Sequence, residues 1–302
     1  MPRIPAAPPK PTHWQACLLA STGGAADFYT LATIPEVDEQ KKNLDASHIQ
    51  TTYVLRFHGD TMDVIEEVPN RLEDLISVFK GGQRGMVAAG FPTAVFEVGP
   101  AGCVEHPIAN VRGSFKALWG SDEHLFACGG FAPFVLYRQG GTWFELPIPT
   151  GCPHLWGICG YHERDVYFVG DKGWVLHFDG THLTRVETPT TNNLTKAAVL
   201  NDEHICITGY GGVLLMGNRK GFRIVPTHTH EEPLNAIAPF QGAVYYPSLD
   251  GIWRFDGTGR PTLAHPQACR WMSVLDDALL VSAAEYAWIF DGSDVEELDT
   301  YV

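Results

Sequence analysis

Residues 154–187 read HLWGICGYHERDVYFVGDKGWVLHFDGTHLTRVE, and this stretch decides the fold. Its four short apolar runs begin at His154, Asp165, Gly173 and Leu183, and polar or glycine-containing turns separate them. Runs of about five residues bounded by turn residues are typical of antiparallel strands. Four such strands in one segment of this length predict a single blade of a β-propeller.

The same phrase returns along the chain as an apolar run, an aromatic or methionine anchor and a glycine-containing turn. The anchors are 35 to 41 residues apart, at Phe57, Phe96, Tyr137, Phe178, Met216, Phe255 and Phe290. A fixed period of this size indicates a repeat architecture. A helical solenoid would need long runs of 3.6-residue periodicity, and a Rossmann-type sheet would need helices between the strands. The chain is therefore predicted to be all-β, a seven-bladed β-propeller of four-stranded antiparallel blades.

The repeats resemble those of seven-bladed β-propellers as a class, with kelch-like and WD40-like repeats, over nearly the whole chain. The glycine pairs Gly129-Gly130 and Gly211-Gly212 and the segment Gly141-Thr-Trp143 are similar to kelch repeats. Most repeats lack the double glycine, and neither the Gly-His/Trp-Asp pair of WD40 repeats nor a complete Asp-box is present. The resemblance therefore implies an architecture without identifying a specific family or its activity.

Composition predicts the domain organisation. The 302 residues are 45% hydrophobic, which is enough apolar material for a large globular core. The Pro-rich residues 1–12 predict an N-terminal arm, and residues 13–302 predict a single propeller domain. Residues 35–50 predict a polar loop insertion in the first blade, which is either a solvated loop or a segment that contacts a partner.

Charge and targeting features limit the partners and the compartment. The 35 acidic and 21 basic residues give a net charge of −14, whereas binding to nucleic-acid phosphates needs clustered Lys and Arg. We find no apolar run long enough to span a membrane and no secretory signal pattern. These features predict a cytoplasmic protein without a nucleic-acid or membrane partner, and its seven cysteines are expected to be reduced thiols. The oligomeric state stays open.

Acidic residues recur in the turns expected on one face of the propeller. The candidate partner-binding acidic rim consists of Asp122, Glu123, Glu163, Asp165, Asp202, Glu203, Asp276 and Asp277. Asp and Asn followed by Gly are also preferred in tight turns for backbone reasons alone. Turn chemistry and a negative face that attracts a basic protein are compatible explanations.

The opposite face is expected to carry longer, less charged loops with histidine and tryptophan near the strand starts. The candidate axial pocket consists of Trp119, His154, Trp156, Lys196, His228, His230, His265, Arg270 and Trp271. The tryptophans are expected at the starts of first strands, where they either surround the channel mouth or pack blade against blade. His228 and His230 lack a visible third ligand, so no metal and no cofactor is predicted.

Three function classes remain open. The first is a non-catalytic protein-binding propeller, and its sharper form is an acidic immunity or inhibitor protein that neutralises a basic intracellular toxin. The second is a propeller enzyme, a lyase or hydrolase acting on a sugar or lactone at a His-rich axial site. The third is a glycan-binding module. No HExxH, P-loop, GxGxxG or GxSxG motif is present, so no catalytic residue is assigned and the binding class is favoured.

Overall fold

A computed structural model describes most of the chain. The described residues are 17–34, 51–59, 61–68, 71–80, 83–91, 94–99, 102–108, 113–121, 123–130, 132–229, 231–283 and 286–298. The predicted arm at residues 1–12 and the predicted loop insertion at residues 35–50 lie outside these described residues. Within them, no helix is long and apolar enough to cross a membrane.

The first four blades are each built from four consecutive strands. Blade 1 contains β1 (Cys17–Gly24), β2 (Asp27–Ile34), β3 (Thr51–His58) and β4 (Thr61–Val68). Blade 2 contains β5 (Arg71–Lys80), β6 (Gln83–Phe91), β7 (Ala94–Gly99) and β8 (Gly102–Pro107). Blade 3 contains β9 (Ser114–Gly120), β10 (His124–Gly130), β11 (Phe134–Gln139) and β12 (Thr142–Leu146). Blade 4 contains β13 (Leu155–His162), β14 (Asp165–Gly170), β15 (Val175–Phe178) and β16 (Leu183–Val186), with a 3₁₀ turn at Asp171–Gly173.

The remaining blades follow the same order. Blade 5 contains β17 (Leu194–Val199), β18 (Ile205–Gly209), β19 (Leu214–Asn218) and β20 (Gly221–Ile224). Blade 6 contains β21 (Ala238–Phe240), β22 (Ala243–Ser248), β23 (Gly251–Phe255) and β24 (Thr262–His265). Blade 7 contains β25 (Trp271–Val274), β26 (Leu279–Ala283), β27 (Tyr286–Phe290) and β28 (Val295–Glu297). The strands of the described residues thus form seven four-stranded sheets, and neighbouring strands within each sheet are antiparallel. The predicted class, an all-β propeller of four-stranded antiparallel blades, is confirmed.

Burial along each blade explains the sequence pattern. In blade 4, β14 reads DVYFVG and β15 reads VLHF, and all their residues except the first of β14 are buried. Middle strands are covered on both faces by neighbouring blades, which favours continuous apolar runs. The outer strand β16 reads LTRV and buries only its first and last residues. The outer strand is therefore more exposed than the middle strands, because it lies at the edge of the blade.

Aromatic side chains join neighbouring blades. Phe126 of blade 3 is fully buried, and its ring centroid lies 4.6 Å from that of Tyr137. The same ring meets Phe168 and Phe178 of blade 4 edge-on, at centroid distances of 6.1 and 5.7 Å. Offset and edge-to-face contacts of this kind stabilise aromatic pairs beyond their buried area. Two of these four rings, Tyr137 and Phe178, are anchors of the repeat, and the other two lie on second strands.

The first strands form a closed ring. Contacts run from β1 to β5, β9, β13, β17, β21 and β25 in turn, and β25 contacts β1. At the contact between β13 and β17, a Cβ atom at Gly157 would lie 2.9 Å from the carbonyl oxygen of Thr195. That distance is too short for a side chain, so glycine permits the close approach of the two strands.

The ring closes by packing and backbone hydrogen bonds between the last and first blades. The backbone nitrogen of Ala25 donates to Asp277 Oδ1 at 2.7 Å. The backbone nitrogen of Asp276 donates to the carbonyl oxygen of Gly23, also at 2.7 Å. Each blade consists of one continuous chain segment. The ring is therefore closed by these contacts and not by a strand shared between blades 7 and 1. Asp277 is therefore a structural residue of the seam between blades 7 and 1.

Replacing Asp277 by alanine is expected to weaken this seam. The change removes a carboxylate acceptor from a backbone N–H group, and such a bond contributes about 1.5–3 kcal/mol. The free energy of unfolding, measured by urea denaturation, should fall by about 1–2 kcal/mol. Asp277→Asn keeps an oxygen acceptor and should lose less. Equal losses in the two variants would contradict the role of the acceptor.

The strand order defines two faces. The turn face carries the connections between first and second strands and between third and fourth strands. The loop face carries the connections between second and third strands and those between blades, including the long connections 147–154, 187–193, 225–237 and 266–270.

Candidate functional site

Exposed carboxylates lie in the turns between first and second strands. Glu123 of blade 3, Asp202 and Glu203 of blade 5 and Asp276 of blade 7 are exposed, and Glu163 of blade 4 is half-buried. Blades 3, 4 and 5 are neighbours in the ring. The structure thus places four of the predicted rim residues, Glu123, Glu163, Asp202 and Glu203, on three successive blades of the turn face. Asp122 lies outside the described residues.

The turn that presents Asp202 and Glu203 is held by two asparagine side chains that bond its backbone. Asn201 Oδ1 accepts hydrogen bonds from the backbone nitrogens of Glu203 at 3.0 Å and His204 at 2.9 Å. Asn218 Nδ2 donates to the carbonyl oxygen of Glu203 at 2.9 Å. None of these bonds uses the two acidic side chains. Both side chains are therefore available to solvent or to a partner.

Two residues of the predicted rim have structural partners. Asp165 Oδ1 lies 2.8 Å from Nε2 of His177, whose side chain is only 5% exposed. Asp277 accepts the seam hydrogen bond from Ala25 described above. The acidic rim is thus divided between carboxylates that stabilise the fold and carboxylates that face outward.

Three aspartates in the turns between third and fourth strands accept hydrogen bonds from the turn backbone. Asp179 Oδ1 accepts from the backbone nitrogens of Thr181 and His182, at 2.8 and 2.7 Å. Asp256 Oδ1 accepts from the hydroxyl and backbone nitrogen of Thr258. Asp291 Oδ1 accepts from the backbone nitrogens of the two residues at 293 and 294. The aspartates that precede glycine in these turns therefore stabilise the turn backbone. This is one of the two explanations considered above for the acidic turns.

These hydrogen bonds act on the charged form of each aspartate. The backbone N–H of His182 lowers the pKa of Asp179 most, and that of Asp294 lowers the pKa of Asp291 most. The hydroxyl of Thr258 lowers the pKa of Asp256 most. A carboxylate with a lowered pKa in the folded state stabilises the fold above its unfolded pKa, and that stabilisation disappears as the pH falls through the lowered pKa.

A triple variant, Asp179→Asn, Asp256→Asn and Asp291→Asn, is expected to lose less stability in acid. Asparagine retains an oxygen for the turn but does not titrate, so the slope of stability against pH below about pH 4 should flatten. The measurement is the thermal midpoint at a series of pH values. A matched triple amide variant at exposed carboxylates outside the turns uses Glu145, Glu187 and Glu231. The hypothesis fails if this control flattens the slope equally.

The described turns of the turn face carry more acidic than basic side chains. The acidic residues are Glu123, Glu163, Asp179, Asp202, Glu203, Asp256, Asp276, Asp277, Asp291 and Asp294, and the basic ones are Arg164, Arg219, Lys220 and Arg260. Arg164 offsets part of this charge, since its Nε lies 3.9 Å from Glu163 Oε1. An excess of one sign on one surface creates a field that attracts an oppositely charged molecule.

The structure brings part of the predicted axial group together on the loop face. Trp156 Nε1 donates to Asp171 Oδ1 at 2.7 Å, and His154 Nδ1 lies 3.6 Å from Asp171 Oδ2. Lys116 Nζ of β9 lies 5.4 Å from the Trp156 ring centroid. Lys196 of β17 is close to Gly157, the residue after Trp156, because a Cβ there would lie 3.0 Å from the Lys196 Cα. Trp156, the second residue of β13, thus lies near Lys116 and Lys196 of the neighbouring first strands, close to the loop face.

Blade 7 supplies two further residues of the predicted axial group. Trp271 is the first residue of β25 and is partly exposed. Arg270 precedes it, is exposed, and donates its backbone N–H to the carbonyl oxygen of Ser282 at 2.8 Å. Both residues lie at the loop-face end of a first strand.

Trp119 is a correction to the predicted axial pocket. It is the sixth of the seven residues of β9, at the turn-face end of the strand, and so does not match Trp156 or Trp271. Its indole lies 6.0 Å from the ring of Phe126. A Cβ at Gly160 of blade 4 would lie 3.0 Å from the same indole. Trp119 therefore packs blade 3 against blade 4, which is the alternative role considered for the tryptophans.

His265 and His228 also lie away from the axis. His265 is the last residue of β24, the outer strand of blade 6, and its Nε2 lies 3.8 Å from Asp294 Oδ1. His228 lies in the connection between blades 5 and 6 and stacks on Trp253 of the third strand β23 at 3.9 Å. The prediction that these two imidazoles surround the channel mouth is therefore wrong. His230 lies outside the described residues.

His228 joins a network of polar side chains over blade 6. Its Nε2 lies 3.0 Å from Ser248 Oγ, which in turn lies 2.7 Å from Glu232 Oε2 and 2.7 Å from Asp250 Oδ1. Trp253 Nε1 donates to Asp250 Oδ1 at 2.9 Å. The network ties the long connection 225–237 to the turn after β22.

These contacts do not have the arrangement of an acyl-transfer triad. In such a triad the serine faces the substrate, and the carboxylate binds the imidazole nitrogen that does not face the serine. Here Ser248 is 1% exposed, and Asp250 approaches Nε2 of His228, the nitrogen that also faces the serine. The geometry supports a structural role for the network.

Several thiols of the described residues also lack the features of an activated nucleophile. Cys128, Cys159, Cys206 and Cys269 are buried, and Cys152 is partly buried. Burial raises the pKa of Cys152 to about 11 and that of Cys206 and Cys269 to about 12. Thiols with such pKa values stay protonated near neutral pH and are poor nucleophiles. Within the described part of the chain, no group of three or more His, Cys, Asp or Glu side chains is placed to hold a metal ion.

Sequence reasoning missed a groove between blades 2 and 3. It has a volume of about 840 Å³ and is lined by β7 and β8 on one side and by β10, β11 and β12 on the other. Glu123 is the only residue of the predicted rim among the described residues that line it. The available sequence signal was the Gly140-Gly141 turn followed by Trp143. It indicates only one wall of the groove, because the other wall belongs to blade 2.

Sequence similarity relates the chain to a known protein. No protein-family model matches the chain. The chain is similar to the immune protein Tsi7 of Pseudomonas aeruginosa, with 29% identity over 199 residues. The similar region covers 62% of this chain and spans 65% of the length of Tsi7.

Solved structures show the likeness of the fold. The WD40 β-propeller domain of Doa1 superposes with a TM-score of 0.67 at 10% identity, over 93% of this chain and 95% of that chain. YCF48 from Cyanidioschyzon merolae gives a TM-score of 0.60 at 13% identity, over 94% and 96% of the two chains. YCF48 bound to D1 peptide gives a TM-score of 0.66 at 10% identity, over 97% of each chain. At these identities the likeness shows the propeller fold alone.

Proposed function

We propose that this chain is a non-catalytic immunity or inhibitor protein that binds a basic toxin in the cytoplasm and neutralises it through the turn face. The similarity to the immune protein Tsi7 carries the proposal. The excess of carboxylates in the turns of the turn face supports a positively charged partner. The propeller fold can hold a polypeptide, as in YCF48 bound to D1 peptide.

The contact is assigned to the outward-facing carboxylates of blades 3, 4 and 5. Glu123, Asp202 and Glu203 are exposed, and Glu163 is half-buried. Charges of one sign on an interface raise the association rate with an oppositely charged partner and disfavour acidic competitors. Fast capture suits an inhibitor, which must bind its target before the target acts.

A rigid fold supports the same role. Free and bound forms of preorganised inhibitors differ little, so binding costs little ordering of the backbone. The Asn201 turn, the Asp277 seam and the aromatic packing of Phe126 all hold the turn face in place without using the outward-facing carboxylates. These contacts brace the turns that carry the proposed partner-binding surface.

The proposal is tested by co-expression with the protein encoded by the neighbouring gene. Cells that express this neighbour alone are expected to lose viability, and co-expression of the chain should restore it. A variant with Glu123, Asp202 and Glu203 changed to lysine should restore it poorly. A neighbour that is harmless, or is equally toxic with and without the chain, would defeat the proposal.

A further inference from the structure

The groove between blades 2 and 3 opens beside the acidic residues of the turn face. Its volume of about 840 Å³ lies within the range of about 300–1,000 Å³ typical of ligand sites. The residues that matter for its chemistry are Glu97, His106, Ile108, Glu123, Arg138 and Trp143.

A glycine turn keeps one end of the groove open. Gly140 and Gly141 connect β11 to β12 with φ angles of +56° and +82°. A Cβ atom built at either position meets nothing within 4 Å. No side chain of this turn therefore covers the groove, and a partner can approach from the turn face.

Part of the groove wall is apolar. Ile108 and Trp143 are partly exposed and pack over the buried cluster that contains Val95. The guanidinium carbon of Arg138 lies 5.9 Å from the Trp143 ring centroid, so the arginine covers part of the indole. Such a wall suits the alkyl stem of a long side chain, because Lys and Arg bury their methylene groups on apolar surface while the charge stays solvated.

The rim of the groove carries two carboxylates. Glu123 is exposed, and the Glu97 side chain is 48% exposed, with Oε2 at 3.6 Å from His106 Nε2. With two carboxylates against the single guanidinium of Arg138, the fixed charge of the lining favours a cation over an anion. The acidic turns of blades 3 to 5 extend the same sign of charge beyond the groove.

We infer that this groove takes an extended segment of the protein partner that carries a lysine or arginine. The alkyl stem lies along Ile108 and Trp143, and the cation meets Glu97 and Glu123. The inference deepens the proposed function and rests on it, because it names the part of the partner that the turn face holds. Steering by the rim and anchoring in the groove are separate contributions, the first to association and the second to dissociation.

A peptide probe tests the groove without the partner. The probe is acetyl-Gly-Leu-Arg-Leu-Gly-amide, and its matched control replaces arginine by citrulline, which has nearly the same shape but no charge. The readout is the indole N–H resonance of Trp143 in a ¹⁵N-labelled protein, identified with Trp143→Phe. The arginine peptide should shift this resonance saturably, and the citrulline peptide should shift it at least about tenfold less at equal concentration.

Charge variants complete the test. The double variant Glu97→Gln and Glu123→Gln should abolish the difference between the two peptides, whereas Glu187→Gln, at an exposed residue after β16 and outside the groove lining, should preserve it. Equal shifts by both peptides, or no shift by either, would overturn the inference. A larger shift by the corresponding glutamate peptide would also overturn it, since it would assign the groove to an anion.

The full partner distinguishes failure of the groove from failure of the proposed function. In the complex, the same double variant should speed dissociation by about tenfold or more. If the complex forms and this variant leaves the dissociation rate unchanged, the groove inference is wrong and the proposed function stands. If the arginine peptide binds but the neighbouring-gene protein is not bound, the groove stands and the proposed function is wrong.

Discussion

Reversing three outward-facing charges of the turn face is expected to slow association with a basic partner by about 10- to 100-fold at low salt. The variant is Glu123→Lys, Asp202→Lys and Glu203→Lys. The turn after β17 should survive the change, because Asn201 bonds backbone nitrogens and not the acidic side chains. The measurement is the association rate in stopped-flow mixing, with salt raised from low to physiological concentration.

Salt and a matched control separate steering from folding effects. Exposed charges are screened within about 10 Å at 0.1 M salt, so the wild-type rate should fall with salt and the variant rate should change little. Glu145→Lys, Glu187→Lys and Glu231→Lys change the net charge equally at exposed sites outside the turn face. Equal slowing by this control would show that net charge alone matters and would contradict a specific acidic surface.

Replacing Phe126 by alanine is expected to cost about 3–5 kcal/mol of the free energy of unfolding. The ring is fully buried and touches Tyr137 within blade 3 and Phe168 and Phe178 of blade 4. Its loss removes contacts within one blade and across two, and the cavity that remains cannot close without moving a strand.

The matched control for Phe126 is Phe144→Ala in the same blade. Phe144 lies on the outer strand β12 and is 51% exposed, so its loss should cost less than about 1 kcal/mol. Urea denaturation followed by tryptophan fluorescence measures both variants. Similar losses for the two would contradict the packing between blades 3 and 4.

The strands could be predicted because their chemistry is local. The run predicted to start at Asp165 is β14 (Asp165–Gly170), and the anchor Phe178 ends β15. In a propeller the middle strands are buried on both faces, so a short apolar run between turns identifies a strand without knowledge of its neighbours. The acidic turns were predictable for the same reason, since turn chemistry depends on residues only two or three positions apart.

The position of a side chain along its strand was not predictable in the same way. Trp119 was expected at the start of a first strand, but β9 begins at Ser114 and places the indole at the opposite end. An error of a few residues in a strand boundary moves a side chain from one face of the propeller to the other. His265 was misplaced because the sequence does not show that it ends an outer strand instead of preceding an inner one.

The features that could not be predicted from the sequence depend on contacts between distant parts of the chain. The hydrogen bond from Ala25 to Asp277 joins residues that are 252 positions apart. No local sequence pattern therefore indicates the seam. The groove likewise needs β7 and β8 of blade 2 and β10 to β12 of blade 3 to lie side by side. Such features follow from the closure of the ring and not from any one repeat.

Hydrogen–deuterium exchange of the free chain and of its complex with the neighbouring-gene protein tests the central claim most directly. Binding through the turn face predicts slower exchange in the complex at the turns after β9, β13 and β17, with unchanged exchange in the connection 225–237 on the loop face. The amides of the Asn201 turn are suitable reporters, because the turn is exposed in the free chain. Protection confined to the connection 225–237 and the turn after β22 would place the partner on the loop face and contradict the account.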